Sequence, residues 1–328
     1  MAKFDVGYGG LVEIDTLDRQ IVDALRVDGR AGFSRIAEIL GVSDQTVARR
    51  FRRLRAEAGV RVVGLPNGIR LGYDKWMIRV QSTPGGASAI GEALARRPDT
   101  TWVTIASGGT EVTCIVQNPG TADRDALLLQ KLPHTPRIVS VRAHCLIHYF
   151  AGGAVDPSGP TALTPEQAAA VLPPSDEGPA VLLDSDQPLV AALARDGRTG
   201  LPELATATGW SESTVRRRLD HLLRTGALFF DVEVNPVLFG YNARILLWMS
   251  VAPAHLETVG RALAGHREVV FAAATTGATN LVATVICPDM AGLYEYLTHR
   301  IGPLPGVERV ETAPALRHVK QVGAVPAL

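Results

Sequence analysis

The 328-residue sequence predicts an α+β protein written as one unit twice. Each copy is a three-helix head with a helix-turn-helix pattern, followed by a βαββαβ body. Two observations carry this. The first is an internal repeat: Asp28-Gly29-Arg30 recurs as Asp196-Gly197-Arg198, an offset of 168. The same offset pairs Ala24, Leu25, Ala37, Gly41, Ser43, Thr46 and Val47 with Ala192, Leu193, Ala205, Gly209, Ser211, Thr214 and Val215. It continues through Arg49-Arg50 and Arg217-Arg218, Leu54 and Leu222, and Gly72-Tyr73 and Gly240-Tyr241. The second observation is that, within each copy, helical spacing gives way to alternating strands and helices after the third helix.

Taken in order, Leu17, Ile21, Val22 and Leu25 recur at helical spacing over residues 17–27, with Asp15 or Thr16 as cap. Phe33, Ile36, Ala37 and Leu40 share one face of a second short helix, and Gly41-Val42 makes a tight turn. Ser43 caps a third helix reaching about Glu57, with Val47, Phe51 and Leu54 inward. A β-rich stretch, 60–65, completes a winged head. Copy two repeats this as helices 188–195, 201–208 and 211–223, a Gly209-Trp210 turn, and a strand 227–234. The bodies read as strand 73–81, helix 87–97, strands 102–106 and 112–116, helix 122–131 and strand 138–150. In copy two these are 243–251, 254–264, 269–275, 281–286, 290–300 and 307–319. That order suggests a ferredoxin-like sheet with helices on one face.

The expected organisation is a tail 1–16, heads 17–65 and 183–234, bodies 66–151 and 235–322, a linker 152–182 and a C-terminal tail 323–328. The linker holds Pro157, Pro160, Pro165, Pro173, Pro174 and Pro179. Thr164-Pro165-Glu166-Gln167 can open one short helix inside it. As a coil of about 28 residues it would span roughly 30 Å, enough to bridge paired domains.

Lysine and arginine total 33, aspartate and glutamate 33, so the net charge is zero and only local charge can attract a polyanion. Arg49, Arg50, Arg52, Arg53 and Arg55 form one cationic stretch, and Arg216, Arg217 and Arg218 another. No run approaches the roughly 20 apolar residues of a membrane helix, and the N-terminus lacks the apolar core of a secretory signal. Cys114, Cys145 and Cys287 are too scattered for a disulfide framework or a thiolate zinc site, so a cytoplasmic setting is expected.

The third helix of each head carries the candidate chemistry. With Val47, Phe51 and Leu54 inward, the exposed side offers Ser43, Gln45, Thr46, Arg49, Arg50 and Arg52, with Arg53 alongside. Copy two offers Ser211, Ser213, Thr214, Arg216 and Arg217, with Asp220 and His221. Hydroxyl, amide and guanidinium groups on the first turns of a helix suit base edges and phosphates of double-stranded DNA. The alternative is a merely solvated face whose cations favour the helix C-terminus. His144, Cys145 and His148 look metal-like. On a strand, however, His144 and His148 stand about 13 Å apart, too far to chelate one ion. Asp28-Gly29-Arg30 reads as a loop closure with Gly29 supplying the turn. No Gly-x-Ser-x-Gly, phosphate-binding loop or His-Glu-x-x-His occurs, so no catalytic residue, metal or cofactor is expected.

Leu17-Asp18-Arg19-Gln20-Ile21-Val22, Asp28-Gly29-Arg30, Ile36-Ala37-Glu38, Gly41-Val42-Ser43, Thr46-Val47 and Arg50-Phe51-Arg52-Arg53-Leu54 resemble the Lrp/AsnC, or feast/famine, transcriptional regulators. Two complete units in one chain resemble a tandem, double form of that family. The resemblance implies a DNA-binding regulator that pairs through its ferredoxin-like domains and responds to a small molecule, commonly an amino acid. Pairing could occur within the chain, as a pseudo-dimer, or between chains. It also implies effector contact at a Gly-x-x-Asp loop, matched here by Gly108, Thr110 and Glu111 and by Gly277, Thr279 and Asn280. Neither copy keeps the aspartate; Glu111 retains the charge and Asn280 loses it. The plainer alternative is a β-hairpin turn that uses its glycines for unusual dihedrals. Two other readings are a siroheme-decarboxylase-like enzyme, which also combines two such units, and a ligand sensor without DNA binding.

Overall fold

The computed structural model describes residues 13–118, 124–153, 159–176 and 178–321. Head one comprises α1 (Thr16–Val27), α2 (Phe33–Leu40) and α3 (Asp44–Glu57). Asp15 and Asp18 form a reciprocal capping box on α1, and Ser43 caps α3 by accepting from the Thr46 amide at 3.2 Å. Gly41 ends α2 in the left-handed region (φ 68°), where glycine avoids a Cβ clash. Ile21, Leu25, Ile36, Val47 and Leu54 are fully buried between the three helices.

β1 (Arg61–Pro66) follows α3, and body one then runs β2 (Asp74–Ser82), α4 (Ala87–Ala95), β3 (Thr100–Ala106), β4 (Glu111–Asn118), α5 (Ala126–Lys131, wound as a π-helix) and β5 (Ile138–Ala151). Next come α6 (Pro165–Val171) and head two, with α7 (Gln187–Arg195), α8 (Leu201–Thr208) and α9 (Glu212–Arg224). β6 (Leu228–Glu233) follows α9, and body two holds β7 (Ala243–Val251), α10 (Leu256–Ala264), β8 (Val269–Thr275), β9 (Leu281–Cys287), α11 (Met290–Tyr296) and β10 (Val307–Lys320).

The two bodies pair within the chain. The sheets run β3-β4-β2-β5 and β8-β9-β7-β10, each the order of a ferredoxin-like fold. β5 pairs antiparallel with β8, and β10 with β3, so the eight strands close into one barrel without a free edge. Each sheet packs its helices outside, around Leu94, Val103 and Val112 in one copy and Leu263, Val285 and Leu293 in the other. Inside the barrel, Met77, Ile115, Leu246, Trp248 and Val282 form an apolar plug.

The two copies are also joined at the level of the heads, by a two-stranded ribbon. β1 and β6 pair antiparallel, with Val62 opposite Val232 and Gly64 opposite Phe230. Val232 of copy two enters the core of head one, and β1 of copy one packs against α7 of head two. The ribbon explains Asp-Gly-Arg. Gly29 sits in the expected turn, closed by the Ala31 amide on the Asp28 carbonyl (3.0 Å), but without a positive φ, so the turn itself does not require glycine. A Cβ on Gly29 would instead strike Phe230 and, at 2.8 Å, Val62; on Gly197 it would strike the same two side chains at 2.8 and 3.0 Å. Glycine is needed for close approach. The arginines then cross between copies: Arg30 donates to the Gly197 and Thr199 carbonyls at 2.7 and 3.1 Å, and Arg198 to those of Gly29 and Ala31 at 2.8 and 3.1 Å.

The expected coil between copies is also revised. α6 forms where Thr164-Pro165-Glu166-Gln167 places it, with a full capping box, and docks on head one by burying Leu163 and Val171 in its core. Arg35 donates to the Ala170 carbonyl (2.7 Å), and Asp23 accepts from the Ala162 amide (2.7 Å). Further on, the Asp176 amide donates to the Arg224 carbonyl (2.8 Å) at the end of α9. The segment is a strap across both heads.

Candidate nucleic-acid interface and ligand-binding body

α3 and α9 present the polar faces of the two heads. Ser43, Gln45, Arg49 and Arg52 are exposed in head one, as are Ser211, Ser213, Arg216 and Arg217 in head two; Thr46 and Thr214 are half-buried. Arg49, Arg216 and Arg217 make no ion pair among the described residues, while Arg52 leans back on the Ala48 carbonyl (3.3 Å). Ser43 and Ser211 also hydrogen-bond Thr46 and Thr214 through their hydroxyls, both at 2.9 Å. The caps take the Thr46 and Thr214 amides, and the Asp44 carboxylate takes that of Gln45 (2.7 Å), so side chains rather than bare helix-start amides make up the polar face.

Arg50 stands apart from this set. It turns to α1 and donates to Asp15 (2.5 Å) and Asp18 (3.1 Å), and Arg53 also pairs with Asp18, whose side chain is fully buried. Its counterpart Arg218 grips buried Asp186 with two bonds, 2.8 and 2.6 Å. In each Arg-Arg pair the first arginine is free and the second holds the head together. The missed signal was available: Asp18 and Asp186 stand at the same offset as Arg50 and Arg218.

The acid in head two is opposed by burial, but the hydrogen bonds of Arg218 and the Leu183 amide, with the attraction of Arg218, hold Asp186 below the usual carboxylate range. In head one the hydrogen bond from the Asp18 amide is the main cause holding Asp15 below that range; burial opposes it, and Arg50 adds to it.

In the loops expected to meet an effector, the side chains of Glu111, Thr110 and Asn280 are hydrogen-bonded within the chain. Glu111 is buried and takes two bonds from Arg79, both 3.0 Å, and one from Gln81 (2.9 Å). Arg79, only 4% exposed, reaches across the barrel to Glu311 of copy two (2.6 Å) and stacks 4.4 Å over the Trp248 ring. Freeing Glu111 for an ammonium would therefore leave the buried guanidinium with Glu311 alone. Asn280 spends both ends on Val251, donating to its carbonyl (2.7 Å) and accepting from its amide (2.9 Å). Thr110 donates to the Ser107 carbonyl (2.8 Å), and the Thr279 carbonyl accepts from Thr275 (2.8 Å). Gly108 and Gly277 have φ 68° and 109°, the dihedrals that the plainer turn reading requires. Of the metal-like residues, His144 is buried against Trp248 with Nδ1 on the Thr276 carbonyl (2.8 Å), while His148, past a bulge, is exposed.

Paired helix-turn-helix heads on a double ferredoxin-like body define a class of protein, and known sequences place the chain within it. The AsnC-type helix-turn-helix domain matches residues 14–55 and again 184–223, and the Lrp/AsnC ligand binding domain matches 244–325. An uncharacterised helix-turn-helix transcriptional regulator of Pyrococcus furiosus is 31% identical over 144 residues, 44% of this chain and 97% of that relative. The helix-turn-helix transcriptional regulator FL11 of the same organism is 29% identical over 147 residues, 44% of this chain and 97% of its own length. The chain belongs to the Lrp/AsnC family, with the helix-turn-helix present twice. Among solved structures, the siroheme decarboxylase NirDL covers 95% of this chain and 94% of its own at TM-score 0.61 and 15% identity, a likeness of fold across both copies. Among the described residues no helix is long and apolar enough to cross a membrane.

Proposed function

We propose that this chain is a transcriptional regulator, acting in the cytoplasm without catalysis of its own, that reads an asymmetric stretch of double-stranded DNA with two unlike heads. One observation carries the reading: α3 and α9 expose different side chains on one clasped frame. Gln45 and Arg49 lie on one, and Ser213, Arg216 and Arg217 on the other. The direct readers are Ser43, Gln45, Thr46, Arg49 and Arg52, with Ser211, Ser213, Thr214, Arg216 and Arg217; Arg50 and Arg218 serve the heads themselves. The relatives named as transcriptional regulators support this reading, and the ligand-binding body supports response to a small molecule.

Mobility shifts on genomic fragments retained by the protein test it. A mixed site is expected to bind more tightly than either palindrome built from its halves; equal affinity for all three refutes the asymmetric reading. Log affinity should fall with log salt by about 0.9 for each phosphate met. Replacing Arg49 or Arg217 with alanine should lower that slope by about 0.9 per lost phosphate contact and leave the thermal midpoint unchanged.

A further inference from the structure

Between the mouth of the barrel and the β1–β6 ribbon lies a cavity of about 1330 Å³. Its volume lies above the roughly 300–1,000 Å³ typical of small-molecule sites, room enough for a ring system. Its walls carry seven lysines and arginines against three aspartates. Two of the cations matter most. Lys75 and Arg244 occupy equivalent second positions of β2 and β7, one from each copy, and both line the cavity.

Neither has a carboxylate within ion-pair distance among the described residues. Arg244 lies 4.9 Å from the Trp102 ring centroid and leaves its buried Nε without a partner. Lys75 lies 5.5 Å from the ring centroid of Tyr149, whose buried hydroxyl is also unpartnered. Burial lowers Lys75 to about 8; it lowers Arg244 to about 10 although Asp231 pulls the other way. Unpaired cations in a half-dry site are costly, and an anion relieves that cost. Phe271 and Phe230 add flat apolar walls.

We propose that this cavity binds an aromatic or polycyclic di- or polycarboxylate, its ring system between Trp102, Tyr149 and Phe271 and its carboxylates on Lys75 and Arg244. Carboxylate fits better than phosphate, because the doubly charged headgroup costs more to strip of water and the aromatic walls cannot repay it. The ribbon that roofs the cavity also carries the heads, so occupancy bears on their spacing. That consequence rests on the DNA reading above; the binding itself does not.

The full chain is titrated with naphthalene-2,6-dicarboxylate, following tryptophan quenching and heat. One saturable site is expected. The uncharged diamide, and Lys75→Met or Arg244→Met, should each weaken binding at least about tenfold, and the double variant should abolish it. Leucine and methionine should not compete. Methionine removes the cation and keeps most of the apolar stem, so these variants are expected to keep their fold, which circular dichroism checks. Absence of saturation, equal binding of diacid and diamide, or unchanged affinity in both single variants overturns the proposal. Loss of DNA binding with ligand binding intact would overturn only the regulator reading.

Discussion

The two heads solve one problem with different margins. In each, an arginine of the third helix holds a buried aspartate of the first. Head one gives Asp18 two arginines, Arg50 and Arg53, with Asp15 sharing the load. Head two gives Asp186 only Arg218; His221 stands where Arg53 stands in copy one, and only its weaker attraction reaches that acid. The bodies differ similarly. Copy one builds a buried Arg79–Glu111 pair extended to Glu311, whereas the matching loop in copy two uses neutral Asn280 on a strand end. Duplication has kept the frame and let the charges diverge, so equivalent substitutions should have unequal costs.

The largest difference is expected in the bodies. Glu111→Ala leaves Arg79 buried with only the half-exposed Glu311, and should cost about 3–5 kcal/mol in urea unfolding. Asn280→Ala strands one amide and one carbonyl at the strand end, for about 1–2 kcal/mol. Equal losses would mean that the charge carries no special weight. Replacing both partners, Arg79→Met with Glu111→Gln, should recover much of the first loss.

Next come the heads. Arg218→Ala uncovers a carboxylate that is 1% exposed and should cost about 3 kcal/mol; Arg50→Ala leaves Arg53 in place and should cost about 1 kcal/mol. Thermal melts of the two variants would show the order, and a reversed order would break the account of unequal margins.

The smallest effect is in acid. Because Asp186 titrates below its unfolded value of about 3.9, its contribution is full above that pH and is lost as pH falls through the folded value. Trp210, packed against head two, should report loosening below about pH 4. Arg218→Ala should flatten that dependence; an unchanged acid profile would remove the ion pair as its cause.

Much of this was legible in one dimension. The repeat, the capped third helices and the order of both bodies follow from local spacing, and the short helix at 165–171 from its cap and proline. Roles set by distant partners were not. Arg50 looked like a reader of DNA because periodicity separates inside from outside but does not say which outward side meets a neighbouring helix. Lys75 follows an aspartate at the start of β2 and Arg244 is the one charge of β7, and nothing near either one reveals that both face a common cavity.

By itself, the sequence determined that one unit occurs twice, which helices are amphipathic and where each is capped, because propensity and periodicity act over a few residues. Only the tertiary structure decided that the two bodies close one barrel and that the linker straps the heads. It alone explained why Gly29 and Gly197 must be bare and which arginines stay free. Those outcomes depend on strand edges and side chains brought together from more than a hundred residues apart, where pairing energy and excluded volume, not local preference, select the arrangement.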